Sequence, residues 1–487
     1  MSEDRLRRFT LLATVLGSSL AFIDATVVNV ALPVIRRDLD LGLAGQEWVY
    51  LSYSLALAAL YLAAGAAGDR WGRRPVFSYG ILGFAAASAL AGAAPNGGVL
   101  ITARFMQGIA GAFVTTNSLA LLRSVYGREA GRAVGLWTAL TGVATILGPP
   151  VGGALVEWAS WRWIFFVNLP LAVAAVIFAH LGGSAEGDES KARRLDLAGA
   201  ALTAVSFGAL TFGIVRGSEN GFASVWWAFA VAACGLAAFA VVEQRVAEPL
   251  LPFGLFRRRN FAAANAETFL VYGALGAFFL FLPIYLQFLG FTPFQAGLVS
   301  VPASLVMILL AARFGALSDR LGPRAFLAGG PVLFGIGILL FLPVSSKGEF
   351  WTWGIAGMTF FSLGLAVFVA PITATAIASA PPRFAGIASG VNTTLSRLGG
   401  LFAVAVIGLA ITRVFASRTD QSGAVALAVG QRAPALRDAS VAAFRAGMLI
   451  AAGLAFAGAV IGAVAVSNAD AQREEDVDAE GVALADA

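Results

Sequence analysis

The sequence predicts an all-α membrane protein of about fourteen transmembrane helices, organised as six plus two plus six, and three observations carry that prediction. Hydrophobic residues make up 59% of the chain and charged residues 13%, about half of the roughly 25% expected of a soluble domain. Apolar runs of about 18 to 25 residues, each able to cross a hydrocarbon core of roughly 30 Å as a helix, recur from end to end. The third observation is an internal repeat. G-A-A-G-D-R-W-G-R-R (Gly65–Arg74) returns as G-A-L-S-D-R-L-G-P-R (Gly315–Arg324), and Leu32-Pro33 returns as Leu282-Pro283 in the same register. Two independent anchors in one register argue for two pseudo-symmetric six-helix bundles.

The first bundle is predicted to hold spans at about 9–34, 47–67, 76–94, 98–122, 133–156 and 163–182. Two further spans, about 196–215 and 225–242, are set off by the polar stretches G-G-S-A-E-G-D-E-S-K-A-R-R and E-Q-R-V-A-E-P-L-L-P-F. The second bundle follows at about 261–285, 295–315, 325–343, 351–377, 387–412 and 441–466. These runs are too long and too continuously apolar for the alternating strands of a membrane barrel, and a helix pairs its own backbone groups in lipid. The expected domains are residues 1–185, the pair 186–250, residues 251–466 and a disordered acidic cytoplasmic tail at 467–487.

Charge distribution sets the expected topology. Arg5, Arg7 and Arg8 begin a series of basic clusters in every second loop, continued by D-R-W-G-R-R, R-S-V-Y-G-R-E-A-G-R, K-A-R-R, L-F-R-R-R-N and S-D-R-L-G-P-R. The positive-inside rule then places both termini in the cytoplasm, and an even number of spans agrees. The net charge of +5 therefore reads as topology and not as nucleic-acid binding. The first apolar run is too long for a signal peptide and is expected to stay as a span.

Catalytic chemistry is poorly supplied. The only lysines, Lys191 and Lys347, lie in no phosphate-cradling loop, so an ion gradient is the expected energy source. One cysteine, Cys234, and one histidine, His180, are too few for a metal cluster or a nucleophilic triad. No cofactor, no metal and no enzymatic activity are expected.

The stretch L-A-F-I-D-A-T-V-V-N-V-A-L-P (Leu20–Pro33) sets Asp24 inside an apolar span, where a charge costs several kcal/mol and normally has a task. Arg104, in L-I-T-A-R-F-M-Q-G-I-A-G (Leu100–Gly111), cannot shed its charge and needs a carboxylate or carbonyls if buried; the other reading is snorkelling to the interface. Opposite running directions give Asp24 and Arg104 a similar depth. Glu267 fits either a cavity-facing or an interfacial carboxylate. Asn117, Gln287 and Asn392 fit interhelical hydrogen bonding or a ligand site. Asn29, Gln107 and Arg397 complete the buried polar candidates. In A-T-I-L-G-P-P-V-G-G (Ala144–Gly153), small residues permit close helix approach and proline bends the span, so Gly148, Pro149, Gly152 and Gly153 form a candidate hinge. Parallel six-helix repeats are the architecture of secondary transporters with a site between the halves.

Taken together, these stretches resemble the major facilitator superfamily, and within it the fourteen-helix drug:proton antiporter branch of EmrB/QacA-like exporters, over about residues 10–466. W-R-W-I-F-F-V-N-L-P (Trp161–Pro170) and L-P-I-Y-L-Q (Leu282–Gln287) are similar to that branch; Ala144, where relatives often carry glycine, is a mild departure. The resemblance implies the major facilitator fold and a cytoplasmic gate at Gly65, Asp69, Arg70, Gly72, Arg73, Arg74, Asp319 and Arg320. There, Asp69 would pair with arginines to lock the bundles. It implies proton coupling at Asp24 with Arg104, and proton-driven efflux of small amphipathic drugs or antibiotics by a monomer in a bacterial plasma (inner) membrane. Export of an endogenous lipid or secondary metabolite is the alternative.

Overall fold

A computed structural model describes residues 3–126, 130–182, 197–245, 253–381, 385–431 and 433–468. The expected polar linker with Lys191 and the acidic tail beyond 468 lie outside the described residues. The helices are α1 Glu3–Asp38, α2 Leu43–Trp71, α3 Arg73–Gly92, α4 Gly97–Tyr126, α5 Ala130–Trp158, α6 Trp163–Phe166, α7 Asn168–Leu181, α8 Leu197–Asn220 and α9 Trp226–Arg245. They continue as α10 Arg259–Phe288, α11 Pro293–Leu298, α12 Val301–Leu321, α13 Arg324–Leu339, α14 Lys347–Glu349, α15 Ile355–Ala378, α16 Ala385–Ala416 and α17 Pro434–Ala465. Eleven segments among the described residues are long and apolar enough to cross a membrane, including Trp163–Leu181, Pro293–Leu321 and Lys347–Ala378, which each join short pieces. Two shorter apolar helices, Ala201–Gly217 and Arg324–Leu339, together with α2, bring the segments to fourteen.

Two compact units emerge. The first holds Met1–Glu248 with Pro283–Val301 and Ala428–Gly430; the second holds Pro249–Leu282, Pro302–Leu427 and Gln431–Ala487. In the first, Leu20, Tyr53, Leu57, Phe77, Phe84 and Val114 bury together where α1 to α4 meet. In the second, Phe361 stacks on Phe278 with ring centroids 4.3 Å apart and meets Phe334 at 4.7 Å. Lipid supplies no hydrophobic drive between helices, so close backbone approach at small residues carries much of the packing. The pair α8 and α9 joins the first unit through α2: the ring of Phe212 lies 6.3 Å from Trp48 and 5.5 Å from Trp227.

The repeat extends into backbone geometry. Pro33 and Pro283 both lie inside long helices, α1 and α10. The turns that follow hold Asp40 at φ 50° and Gly290 at φ 93°, and the basic loops hold Gly72 at φ 90° and Gly322 at φ 85°. Each pair is related by the same offset as the sequence motifs. Gly72, at ψ 127°, occupies a region closed to a side chain. Gly72→Ala is expected to cost about 1–3 kcal/mol, read as a lower unfolding temperature of the purified protein in detergent.

Candidate functional site

Asp24 and Arg104 form an ion pair in the first unit, and both are buried, at 0% and 1% exposure. Arg104 therefore takes the carboxylate partner and does not snorkel. Around the pair, side chains from α2, α3, α4 and α7 and the Phe165 carbonyl of α6 complete a network. Arg104 Nη1 donates to Gln107 Oε1 at 2.9 Å and Nε donates to the Val49 carbonyl at 3.3 Å. Its guanidinium carbon lies 4.4 Å from the ring centroid of Tyr53, within cation–π range. Gln107 Nε2 donates to Asp24 Oδ1 at 3.2 Å and to Ser88 Oγ at 3.1 Å. Asn168 Nδ2 donates to Ser88 Oγ at 3.0 Å and to Asp24 Oδ1 at 3.4 Å, while Ser88 Oγ donates to the Phe165 carbonyl.

The two charges are unequally supported. Arg104 keeps a carbonyl, an amide oxygen and an aromatic face if Asp24 loses its charge. Asp24, without Arg104, keeps only neutral amide donors. Loss of the arginine would therefore cost this site more than loss of the carboxylate charge.

The remaining polar candidates separate. Asn29 is buried, with Oδ1 unpartnered. Gln287 Nε2 donates to the Val30 carbonyl at 2.8 Å. It also borders a cavity of about 270 Å³ with Pro33, Arg37, Glu157 and Phe291. Asn117 takes the interhelical role: Nδ2 donates to the Ala64 carbonyl of α2 at 2.9 Å. Asn392 does the same in the second unit, donating to Asn265 Oδ1 and to Thr268 Oγ1 at 2.8 Å. Arg397 is half-buried near Tyr272. Glu267 is fully buried, packed on α17.

The candidate hinge packs on the turn of α1 that carries Asp24. A Cβ at Gly148 would meet the Thr26 hydroxyl and, at 3.4 Å, the Ile23 carbonyl; one at Gly152 would meet Val27. A Cβ at Gly153 would stand 2.7 Å from Phe294 Cα of α11, and Gly297 of α11 lies against the Pro149 carbonyl. Small residues here admit two helices at once.

Comparison with known proteins fits this geometry. The Major Facilitator Superfamily model matches residues 14–404. The chain belongs to the Major Facilitator Superfamily. It is accordingly a multi-pass membrane transporter and not an enzyme. It is 35% identical over 410 residues to multidrug resistance protein Stp of Mycobacterium tuberculosis, covering 83% of this chain and 76% of Stp. It is 34% identical over 433 residues to puromycin resistance protein pur8 of Streptomyces alboniger, covering 86% and 84%. Among solved structures, the POT family transporter PepTSo shares the fold with a TM-score of 0.68 at 13% identity, over 96% of this chain and 98% of that one.

The superfamily loop differs from expectation in detail. The Asp69 side chain lies outside the described residues. Asp319 and Arg320 are exposed, and among the described residues Asp319 makes no ion pair. Arginines of the loops instead reach helix carbonyls: Arg73 Nη1 donates to Ala120 of α4 at 3.2 Å, and Arg324 Nε to Ala463 of α17 at 2.6 Å. The Ala463 carbonyl lies in the last turn of α17, where carbonyls without an intrahelical partner attract such donors. Arg70 is exposed and Arg74 half-buried. A Cβ at Gly65 would meet nothing within 4 Å; the close approach falls to Gly68, whose Cβ would stand 2.7 Å from Asn117 Cγ.

Ser88, Tyr53 and Asn168 were absent from the expected site of this superfamily member. Ser88 and Asn168 had a signal, each a lone polar side chain in an apolar run. Tyr53 and the Val49 carbonyl had none, because only the packing of α2 on α4 brings them to Arg104.

Proposed function

We propose that the protein exports amphipathic drugs or antibiotics across a bacterial plasma membrane in exchange for protons, with Asp24 as the proton-binding group and both termini cytoplasmic. The observation that supports this reading is the buried Asp24–Arg104 pair, an acid set inside an apolar span and held by one cation and two amides. The drug-resistance proteins to which the chain is similar support the substrate class. Protonation of Asp24 removes its attraction to Arg104; an entering cationic or polar substrate shifts the same balance, so proton and substrate displace each other. The six-helix halves at 1–185 and 251–466 would rock to open the site alternately, with residues 186–250 an accessory pair, and one copy of the chain suffices.

Everted membrane vesicles test the proposal with ethidium and puromycin as probes. Wild-type vesicles are expected to accumulate probe when an acidic interior is imposed, and Asp24→Asn vesicles to show only the rate of vesicles lacking the protein. Undiminished pH-driven uptake in Asp24→Asn would remove Asp24 from the mechanism.

A further inference from the structure

We propose that Glu267 is a second proton-carrying carboxylate of the transport cycle, loaded with its proton in the conformation described here; this deepens, and rests on, the proton-coupled reading above. Glu267 lies eight residues into α10, about 12 Å along the helix from Arg259. It is fully buried, and both carboxyl oxygens lack a hydrogen-bond partner.

Among the described residues, the groups facing it are uncharged. α17 presents Gly458 and Gly462: a Cβ at Gly462 would stand 2.9 Å from Glu267 Oε2, and one at Gly458 3.5 Å from its Cγ. α13 presents the Leu327 backbone, which lies against the same Gly462 position. Basic side chains do stand at this end of the unit, but they are committed elsewhere. Arg259 donates to the carbonyls of Ala465 and Val464 at 2.8 and 2.9 Å, and Arg324 to that of Ala463. Both arginines thus hold the last turn of α17.

A buried ionised carboxylate without a protein donor or cation beside it is far costlier than the neutral acid, so this packing selects the protonated form. Deprotonation needs a cation, and two guanidiniums become free when the end of α17 parts from α10 and α13. Glu267 then gives its proton to water, and the carboxylate is compensated by a released arginine. Proton exchange and movement of α17 are therefore one event. A polar network on the same helix, Asn265 and Thr268 with Asn392, faces α16 and gives Glu267 no hydrogen bond. For packing alone, glutamine or methionine would serve as well; ionisation is the property that distinguishes this side chain.

Infrared spectroscopy of the purified protein at neutral pH tests the protonation state directly. A protonated-carboxyl stretch is expected in wild type and in Asp24→Asn, and is expected to be lost in Glu267→Gln. In proteoliposomes moving ethidium down an imposed pH gradient, Glu267→Gln is expected to carry one proton fewer per ethidium while ethidium exchange without a gradient persists. An unchanged carboxyl band in Glu267→Gln, or an unchanged proton count, overturns the proposal. Glu267→Met, which keeps the volume, is expected to unfold at or above the wild-type temperature; a large fall would assign the residue a structural role instead. If wild type moves no ethidium on a pH gradient, the proton-coupled reading fails, and the infrared band still decides whether Glu267 holds a proton.

Discussion

Arg104→Gln is expected to destabilise the protein by about 3–5 kcal/mol, the usual cost of leaving one member of a buried ion pair without its partner. The orphan is Asp24, at 0% exposure, whose other contacts are the amides of Gln107 and Asn168 at 3.2 and 3.4 Å. Asp24→Asn should cost less, because Arg104 retains the Val49 carbonyl, Gln107 and the Tyr53 ring. The double variant Asp24→Asn/Arg104→Gln replaces both charges by amides and should regain much of the loss. Thermal unfolding in detergent for all four proteins closes the cycle. Strictly additive costs would mean that the pair is not coupled, and the network would lose its claim to be a site. Transport is expected to be absent from all three variants, so stability and function separate in the double variant.

The second large effect is expected at a residue without any polar atom in its side chain. In Gly108→Ala the new Cβ would stand 2.8 Å from Ala56 Cβ and 3.0 Å from the Tyr53 carbonyl carbon, with the Tyr53 oxygen closer still. Backbone cannot rotate away as a side-chain tip can. α4 must therefore draw back from α2, at about 1–3 kcal/mol for overpacking. Arg104 sits one turn before Gly108 and takes two of its contacts, Val49 and Tyr53, from α2. Probe efflux should accordingly drop to that of cells lacking the protein, at membrane levels that immunoblotting shows to be comparable. Gly83→Ala is the matched control: its Cβ would meet only Ala110 Cβ at 3.6 Å, an ordinary contact, and efflux should be unaltered. Wild-type efflux in Gly108→Ala would show that the α2–α4 contact does not hold Arg104 in place.

Legibility in the sequence followed the physics of each signal. Long apolar runs mark helices in lipid almost unaided, since no other spanning structure satisfies the backbone. The Asp24–Arg104 pairing was accessible because two charges at one depth have few other ways to be buried. Trp161 to Pro170 was legible only as a resemblance, yet its residues have distinct tasks. Trp161 Nε1 and Arg162 Nη1 both donate to Asp38 at 2.8 Å, the Phe165 carbonyl accepts from Ser88, and Asn168 reaches Asp24. The loop arginines were legible only as a charge cluster: nothing in the motif revealed that the Ala120 and Ala463 carbonyls take Arg73 and Arg324. Glu267 was ambiguous because distance along a helix gives depth but not azimuth, and its azimuth turns it to α17.

The contact of α5 with α1 also has a mechanical meaning. Gly148 and Gly152 bear on Thr26 and Val27, the residues just past Asp24 on the same helical turn. A tilt of α5 thus becomes a load on the turn that carries the acid, and the Asp24–Arg104 pair stands at the far end of that lever. A bulky substitution on α5 that never touches the carboxyl should loosen the ion pair, much as pressing a lever moves a pointer at its other end.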